Sequence, residues 1–361
     1  MSKGWLGGLA VLALLVAGSA QAQTVQAVGL ELDFTGRLQV QFNTTSVTED
    51  DLGPGNEPAT TALEVRRLYF GTNFAFSDWI TGSIQANFAA GSARLEDGYI
   101  DAALTDGLSV RAGQFKKPFG LFELTSNTRI LTIERAVRIR GVEDLVGVPG
   151  EAQYLLDESG YLGRQVGVMA HGTSGPLGWS AGVFNGEGQN TAETQGSKAY
   201  AGRLTWALED SPLVVGGGFS VQPTGVFDVD GDEIGATAFA VDAEWGAFRG
   251  EGLHVMAEAM YGDNPLIIVA DEPSTMVGAQ VAAAWFSPRD GRVEGVEPVL
   301  RASWADPDTD VSDDEGLLLT PGVNMYFSGR NRFMVNGEAY VPSASGVDTQ
   351  YSLVAQFQIY F

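Results

Sequence analysis

Residues 30–42 read LELDFTGRLQVQF, with apolar and polar side chains in alternation. Leu30 and Val40 fall on one face of this pattern, and Asp33 and Arg37 fall on the other. Successive side chains of a β-strand point to opposite faces, so this period of two predicts one long strand. Ordinary strands average about 5–6 residues, whereas a tilted strand that crosses a bilayer needs about 9–11. Length and alternation together favour a membrane-spanning strand.

The same alternation recurs down the chain, and counting the segments gives about sixteen strands, an even number as in bacterial outer-membrane barrels. Short connections are predicted near residues 75–78, 105–107, 172–176, 208–212 and 328–331. Longer ones are predicted near residues 43–61, 116–162, 186–197, 223–234, 262–274 and 305–315. Outer-membrane barrels have short periplasmic turns and long outer loops. The sequence therefore predicts an all-β fold, a transmembrane antiparallel β-barrel.

Aromatic residues lie near the ends of the predicted strands, on the apolar face. They are Tyr200, Trp206, Trp245, Tyr261, Trp285, Trp304, Tyr351 and Phe361. Aromatic rings of outer-membrane barrels gather at the two membrane interfaces, which agrees with these positions. The alternative is that the rings belong to the core of a soluble β-sandwich.

Residues 1–22 have the layout of a secretory signal peptide. A basic residue precedes an apolar stretch over about residues 6–17, and an A-x-A motif stands at residues 20–22. The apolar stretch is too short for a membrane-spanning helix. We therefore predict cleavage before Gln23, with residues 23–361 forming a single barrel domain in the bacterial outer membrane.

Composition excludes several classes of function. The chain of 361 residues has 45 acidic and 21 basic residues, a formal charge of −24, and no cysteine. A protein that binds nucleic acid needs a basic face to neutralise phosphates, so we predict no nucleic-acid partner. The absence of cysteine excludes thiolate metal sites and cysteine nucleophiles.

No motif in the sequence predicts catalysis or a cofactor. His171 and His254 lack a G-x-S-x-G partner or a second histidine at metal-ligand spacing. Residues 227–233 (FDVDGDE) resemble a hard-cation loop but lack its twelfth-position glutamate, which favours an acidic turn. Residues 306–315 are predicted to form an outer acidic loop that could bridge divalent ions between lipopolysaccharide phosphates.

Positive charge is concentrated in residues 111–142, RAGQFKKPFGLFELTSNTRILTIERAVRIRGV. The basic residues after the predicted strand end are Lys116, Lys117, Arg129, Arg135, Arg138 and Arg140. They belong to the longest predicted connection, and structureless connections beyond roughly 12–15 residues are usually functional. The sequence therefore predicts a functional loop at residues 116–162. The alternative is a solvated basic loop without a target.

Several arginines fall on the polar face of the predicted strands: Arg37, Arg67, Arg111, Arg203, Arg301 and Arg332. A charge on the lipid face costs roughly 2–4 kcal/mol at mid-membrane, so these side chains are expected to face the lumen. Guanidinium groups suit bidentate contacts with oxyanions, and we predict anion contacts for the first five. The alternative is pairing with wall acids such as Asp33, Asp101, Asp242 and Glu258.

Several motifs in this order resemble the family of phosphate-selective porins O and P. They are Arg66-Arg67, VRAGQFKKPFG at residues 110–120, Ser126 followed by Ile133-Glu134-Arg135, GRQVG at residues 163–167 and GVFNG at residues 182–186. The resemblance covers the mature chain. It implies a sixteen-stranded trimer whose third outer loop folds into the lumen. It also implies that the basic residues of the loop form a constriction on an anion path.

The expected function is a passive outer-membrane channel for small anions, with phosphate or polyphosphate as the implied solutes. The chain has few lysines after residue 22, namely Lys116, Lys117 and Lys198, which leaves the preferred anion open. Two alternatives stay open. The acidic loops could make the pore general or cation-preferring, or the chain could be a structural or adhesive barrel with a plugged lumen. Small anions, membrane lipid, lipopolysaccharide and two further copies of the chain are the expected partners.

Overall fold

The computed structural model describes residues 24–27, 29–46, 61–89, 91–137, 150–194 and 196–361. Within these ranges the chain forms seventeen β-strands and two short α-helices. The strands are β1 (Thr24–Ala27), β2 (Leu30–Thr45), β3 (Thr61–Ser77), β4 (Ile80–Asn87), β5 (Arg94–Thr105), β6 (Leu108–Lys116), β7 (Arg164–Ser174), β8 (Leu177–Phe184), β9 (Ala199–Ala207), β10 (Leu213–Phe227), β11 (Glu233–Trp245), β12 (Gly252–Val269), β13 (Glu272–Pro288), β14 (Gly295–Asp306), β15 (Gly316–Ser328), β16 (Asn331–Pro342) and β17 (Gln350–Tyr360). The helices are α1 (Leu121–Leu124) and α2 (Ala152–Glu158). Neither these helices nor any other in the described ranges has the length and hydropathy to span a membrane.

Strands β2 to β17 form one closed antiparallel sheet. Each strand pairs with its neighbours in sequence, and β17 pairs with β2 from Ser352↔Thr45 to Tyr360↔Arg37. The short β1 pairs with residues 30–33 of β2, beyond the residues of β2 that pair with β17. The predicted barrel of about sixteen strands is therefore confirmed.

The two faces of the sheet differ in the way the alternation predicts. Val281 and Leu300 are 43% and 55% exposed, whereas Gln280 and Arg301 beside them are 4% and 0% exposed. A closed sheet has an inner face and an outer face, and residues on the inner face are shielded from the exterior. The buried polar residues therefore line the inside of the barrel. The apolar set, with the predicted interfacial aromatic residues, forms the outer surface.

Two predicted long loops are instead the ends of long hairpins. The predictions for residues 223–234 and 262–274 are wrong, because the strands continue into them. Strand β12 has 18 residues, and a two-residue turn at Ala270-Asp271 joins it to β13. Both turn residues have positive φ angles, 51° and 67°, as a tight type I′ hairpin requires. The strand pairing here extends beyond the length needed to cross a bilayer.

The seam between the first and last barrel strands depends on a glycine. Gly36 and Phe361 exchange two backbone hydrogen bonds, of 2.6 and 3.0 Å. The Phe361 ring lies over Gly36, so a Cβ atom there would lie 2.2 Å from the ring Cζ. The position therefore has no room for a side chain while the ring stays in place.

We expect Gly36→Ala to weaken closure of the barrel by about 1 kcal/mol, the lower end of the cost of overpacking, because the half-exposed Phe361 ring must turn aside. A closed barrel resists detergent until heated, so folded and boiled protein should migrate differently on a gel. The temperature of that transition should fall in Gly36→Ala. In the control Gly337→Ala, the new Cβ has its nearest neighbour at 3.9 Å, and the temperature should hold. Equal transition temperatures in both variants would contradict this account of the seam.

Candidate functional site

The connection between β6 and β7 covers residues 117–163, of which 117–137 and 150–163 are described. Both parts bond to the polar face of the wall. Three of their backbone amides donate to wall side chains: Leu121 to Glu258, Ile133 to Asn336 Oδ1 (2.7 Å) and Ala152 to Ser303 Oγ (3.1 Å). The connection is therefore attached to β12, β14 and β16 by hydrogen bonds.

Apolar packing fixes the same two parts to strands β11 to β14. One buried cluster sets Phe119, Ala152, Leu155, Leu156, Tyr161 and Leu162 against Ala236, Ala238, Ala240, Met260, Met276 and Ala305. A second sets Leu121, Phe122 and Leu131 against Met256, Ala282, Ala284 and Val299. A water-filled barrel normally has a polar interior. The apolar patch on this wall is explained by the connection that covers it, and its burial stabilises the attachment.

Glu134 joins the connection to β3. Arg66 donates to it from Nε (2.8 Å) and Nη2 (3.2 Å), and Arg67 donates from Nη2 (3.0 Å). Neighbouring side chains of a regular strand point to opposite faces, but the register shifts between Gln39 and Val40 and leaves Arg66 in a β-bulge. Burial opposes ionisation of Glu134, yet the two guanidinium groups outweigh it and hold its pKa well below the usual range. The charge of Arg67 is therefore compensated by an ion pair with a protein carboxylate.

A second buried carboxylate, Glu123, takes two more of the predicted basic residues. Lys116 Nζ lies 3.0 Å from Glu123 Oε1, and Arg135 Nε lies 3.5 Å from Oε2. Arg135 also donates to the backbone carbonyls of Phe122 (2.6 Å) and Thr125. Burial again opposes ionisation of Glu123, but Arg135 and Lys116 lower its pKa overall.

Lys117 is fully buried within the connection. Its Nζ donates to the Gly160 carbonyl over 2.6 Å, and its amide donates to the Gly163 carbonyl over 3.0 Å. Burial lowers the pKa of Lys117 to about 7, although nearby Glu123 opposes the change. Lys117 thus ties the start of the connection to its end.

Beside the connection lies a cavity of about 750 Å³. Its basic lining residues are Arg37, Arg111, Lys116, Arg164, Arg203 and Arg330. Its acidic lining residues are Asp97 and Asp106. Ser126, Asn127 and Thr128 of the connection contribute polar groups to the same lining. The cavity therefore brings together four of the predicted site residues, those at positions 37, 111, 116 and 203.

Three of the lining arginines are paired with wall carboxylates. The closest distances are 2.6 Å for Arg111–Asp101, 2.9 Å for Arg164 with both Asp97 and Glu96, and 2.5 Å for Arg203–Asp242. At these three positions the structure matches the alternative given from the sequence, in which the arginines pair with acidic residues of the wall. A paired guanidinium still presents donors, but its net charge is compensated.

Two lining arginines, Arg37 and Arg330, have no carboxylate within 4.0 Å among the residues that the structure describes. The Arg37 guanidinium lies 4.0 Å from the centre of the Tyr69 ring, and that of Arg330 lies 4.6 Å from the centre of the Tyr360 ring. Burial and the charge of nearby, exposed Arg129 lower the pKa of Arg330. Among the described residues, no paired acid cancels the positive charge that these two arginines give the cavity.

The remaining predicted residues lie elsewhere. Arg301 has no exposed surface and is absent from the cavity lining, and Arg332 is equally buried and donates to the Tyr326 hydroxyl over 3.2 Å. Arg138 and Arg140 lie outside the described residues, so their role stays a prediction.

Sequence reasoning missed two of the six basic residues of the lining. Arg164 begins β7 within the GRQVG motif, and that motif was the available signal. Arg330 lies in the two-residue turn between β15 and β16, where the alternation of a strand gives no information about direction. Its place in the cavity depends on contacts that are distant in sequence.

The other candidate groups form ordinary local contacts. Asp228 Oδ1 accepts hydrogen bonds from the amides of Asp230 and Asp232, both at 2.9 Å, as in an acidic turn. His171 lies 3.0 Å from Asp101, and His254 lies 2.8 Å from Glu244. In the described ranges no three such side chains come together in a way that could hold a metal ion.

The buried amine of Lys117 predicts a pH dependence of stability. Its pKa of about 7 in the folded protein lies below the ordinary lysine value of about 10.4. Between these values the unfolded chain binds the extra proton, so stability should rise with pH by at most about 1.4 kcal/mol per unit. We expect the heating transition of the folded barrel to shift upwards from pH 7 to pH 10. Lys117→Met should reduce that rise by the contribution of this one amine.

Lys198→Met is the matched control, because Lys198 is partly exposed and pairs with Glu193 in an outer connection. It should keep the slope of the parent protein. An equal slope in Lys117→Met would show that the buried amine is not its source.

Comparison with known proteins agrees with this architecture. The family model described as phosphate-selective porin O and P matches residues 34–246. No curated protein sequence matches the chain. Similar solved structures include OprB of Pseudomonas putida, with 11% identity over 91% of this chain and 94% of that one and a TM-score of 0.63. DcaP, an outer membrane channel of Acinetobacter baumannii, has 13% identity over 94% and 100% of the two chains and a TM-score of 0.60.

An anion-selective porin from Comamonas acidovorans has 13% identity over 92% of this chain and 100% of that chain, with a TM-score of 0.59. At such identities the likeness concerns the fold, a closed barrel of the outer membrane. The family match is broader evidence, because it covers more than half of the 361 residues. This chain therefore belongs to the phosphate-selective porin O and P family of outer-membrane channels.

Proposed function

We propose that this outer-membrane channel conducts small anions by passive diffusion along the cavity beside the connection. One observation carries the proposal: the cavity has six basic lining residues and two acidic ones, with Arg37 and Arg330 free of paired carboxylates in the described ranges. Positive side chains in a narrow, low-dielectric passage raise the local concentration of anions. They act without chemistry, so the proposal includes no enzymatic activity.

We propose further that residues 116–162 enter the lumen and form the constriction. Their bonds to Glu258, Ser303 and Asn336 on the polar face support this placement. With one side of the lumen occupied, an ion would pass close to β2 and to β5 through β9, which bear Arg37, Arg111, Arg164 and Arg203. Each contact must be weak enough to release the ion for conduction to continue.

The proposal that phosphate or polyphosphate is the preferred solute is based on the family match. The proposal of a general preference for anions is based on the charge of the cavity lining. The relative from Comamonas acidovorans is described as anion-selective, and a trimer form of OmpT from Vibrio cholerae is among the similar structures. By that likeness we propose a homotrimer set in membrane lipid, with acidic outer loops facing lipopolysaccharide. We also propose removal of residues 1–22 on export, which N-terminal sequencing of the mature protein tests.

A cation-preferring pore is the second candidate, and one observation favours it. A smaller cavity of about 340 Å³ is lined by Glu31, Asp33 and Asp101, next to Arg111. The carboxylates of this smaller cavity, together with those of the outer turns, could attract cations. However, Asp101 is already paired with Arg111 and His171, which reduces its field in the lumen.

In planar bilayers we expect stepwise conductance and a reversal potential of anion-selective sign under a salt gradient. The double variant Arg37→Gln, Arg330→Gln should move that potential towards zero, because it removes the two charges without paired acids. Lys198→Gln is the control, since it removes one charge from an outer connection that does not line the cavity.

A cation-selective parent protein, or an unchanged potential in the double variant, would refute the anion assignment. Purified protein without any conductance steps would favour the structural or adhesive barrel instead. Inhibition of chloride current by added phosphate would support the narrower preference, and its absence would limit the claim to small anions in general.

Salt concentration provides an independent prediction. At about 0.15 M salt the Debye length is about 8 Å, so acids at the mouth are screened from a constriction deeper in the barrel. At about 0.01 M the length grows to about 30 Å, and the acidic exterior should shift the selectivity towards cations. A selectivity that is independent of salt would contradict this separation of mouth and constriction.

A further inference from the structure

Arg301 on β14 contacts both described parts of the connection from one buried position. It has no exposed surface. Its Nη1 donates to the Arg135 carbonyl over 2.6 Å, at the end of the first part. Its Nη2 donates to the Glu151 carboxylate, at the start of the second part, and to Gln280 Oε1 over 2.8 Å. One guanidinium therefore holds two segments that are sixteen positions apart in sequence, from 135 to 151.

Glu151 is itself fixed by further contacts. Its carboxylate caps α2 by accepting from the amides of Gln153 (3.2 Å) and Tyr154 (2.7 Å). Ser303, next to Arg301 on the same face of β14, donates to Glu151 over 2.8 Å and accepts from the Ala152 amide over 3.1 Å. The start of α2 is thus seated on Arg301 and Ser303.

We propose that Arg301 is a positioning residue that holds the two parts of the connection against the wall and so determines the width of the ion path. This inference depends on the proposed channel function. Arg301 faces inwards from its strand as Arg37, Arg111 and Arg203 do, but it does not line the cavity and its charge is paired with Glu151. It acts on conduction through the connection, without touching the ion.

The shape of the guanidinium group is essential to this role. Two of its nitrogens point in different directions, to a carbonyl and to a carboxylate, in a fixed plane. Lysine keeps the charge but offers a single nitrogen, which cannot hold both partners in this geometry. Arg301→Lys therefore separates the positioning role from the effect of charge.

The experiment compares Arg301→Lys, Arg301→Met and Glu151→Gln with the parent protein in planar bilayers. Losing one member of a buried ion pair should shift the equilibrium towards a detached connection by about a hundredfold or more. We expect all three variants to show altered single-channel conductance and larger fluctuations of the open-channel current. Arg249→Lys is the matched control, because Arg249 also pairs with a carboxylate, Glu294 at 3.0 Å, but does not line the cavity, and it should keep quiet open states.

Parent-like currents in Arg301→Lys, together with a shifted reversal potential in Arg301→Met, would overturn the proposal in favour of a direct effect of charge on ions. Parent-like currents in all three variants would overturn it as well. The heating transition on gels shows whether each barrel is closed. If Arg301→Met does not fold, Glu151→Gln supplies the comparison.

A second readout does not require conduction. The sequence between the two held ends contains Arg138 and Arg140, which are cleavage sites for trypsin. We expect faster cleavage there in folded Arg301→Lys and Glu151→Gln than in folded parent protein. Faster cleavage in the two variants, combined with a parent protein that shows no conductance, would refute the channel function but keep the positioning role. Equal cleavage rates with normal conductance would refute the positioning role alone.

Discussion

Every backbone N–H and C=O group that crosses the hydrocarbon layer must find a partner within the protein, and this requirement determines the structure of the chain. The hydrogen bonds between Gly36 and Phe361 satisfy this requirement where β17 pairs with β2 and closes the sheet. Closure fixes which face of each strand meets lipid, so the parity of every side chain follows from the register of its neighbours. The polar face then lies inside the barrel and places side chains such as Arg37, Arg203 and Arg301 there.

The inner face is divided into two sectors by composition. Strands β11 to β14 present alanine and methionine, which match the apolar residues of the connection. Strands β2, β5, β6, β7 and β9 instead contribute charged side chains to the lining of the cavity. The division explains why a chain with an aqueous lumen places apolar residues on both faces of some strands. On the proposed function, it also implies an ion path that lies off the axis of the barrel.

The sequence alone could predict the barrel, because alternation is a local property that each strand carries by itself. It could also predict the inward direction of Arg37, Arg203 and Arg301, which share the parity of their strands. It could not distinguish Arg37, which lines the cavity, from Arg301, which is buried against Glu151. That difference depends on a partner 150 positions away.

Other failures have equally specific causes. The bulge at Arg66 breaks the alternation, so parity assigns it to the wrong face, and a turn residue such as Arg330 has no parity at all. The hairpin at Ala270-Asp271 was mistaken for a loop because the width of a bilayer sets only a minimum for strand length. In each case the pattern was correct locally, and a neighbouring strand or the connection determined the outcome.

The density of basic residues in a segment is a poor measure of the field that an ion would meet. The described parts of the connection have three buried carboxylates, and a buried charge must be paired. Glu123 takes Lys116 and Arg135, Glu134 takes Arg66 and Arg67, and Glu151 takes Arg301. Two of the six basic residues that mark this region in the sequence, Lys116 and Arg135, therefore neutralise a carboxylate of the connection itself. On the proposed function, selectivity depends on the arginines left without a carboxylate, and among the described lining residues Arg37 and Arg330 fit that description. A formal charge of −24 is compatible with such a passage, because screening limits each exposed acid to its own surroundings.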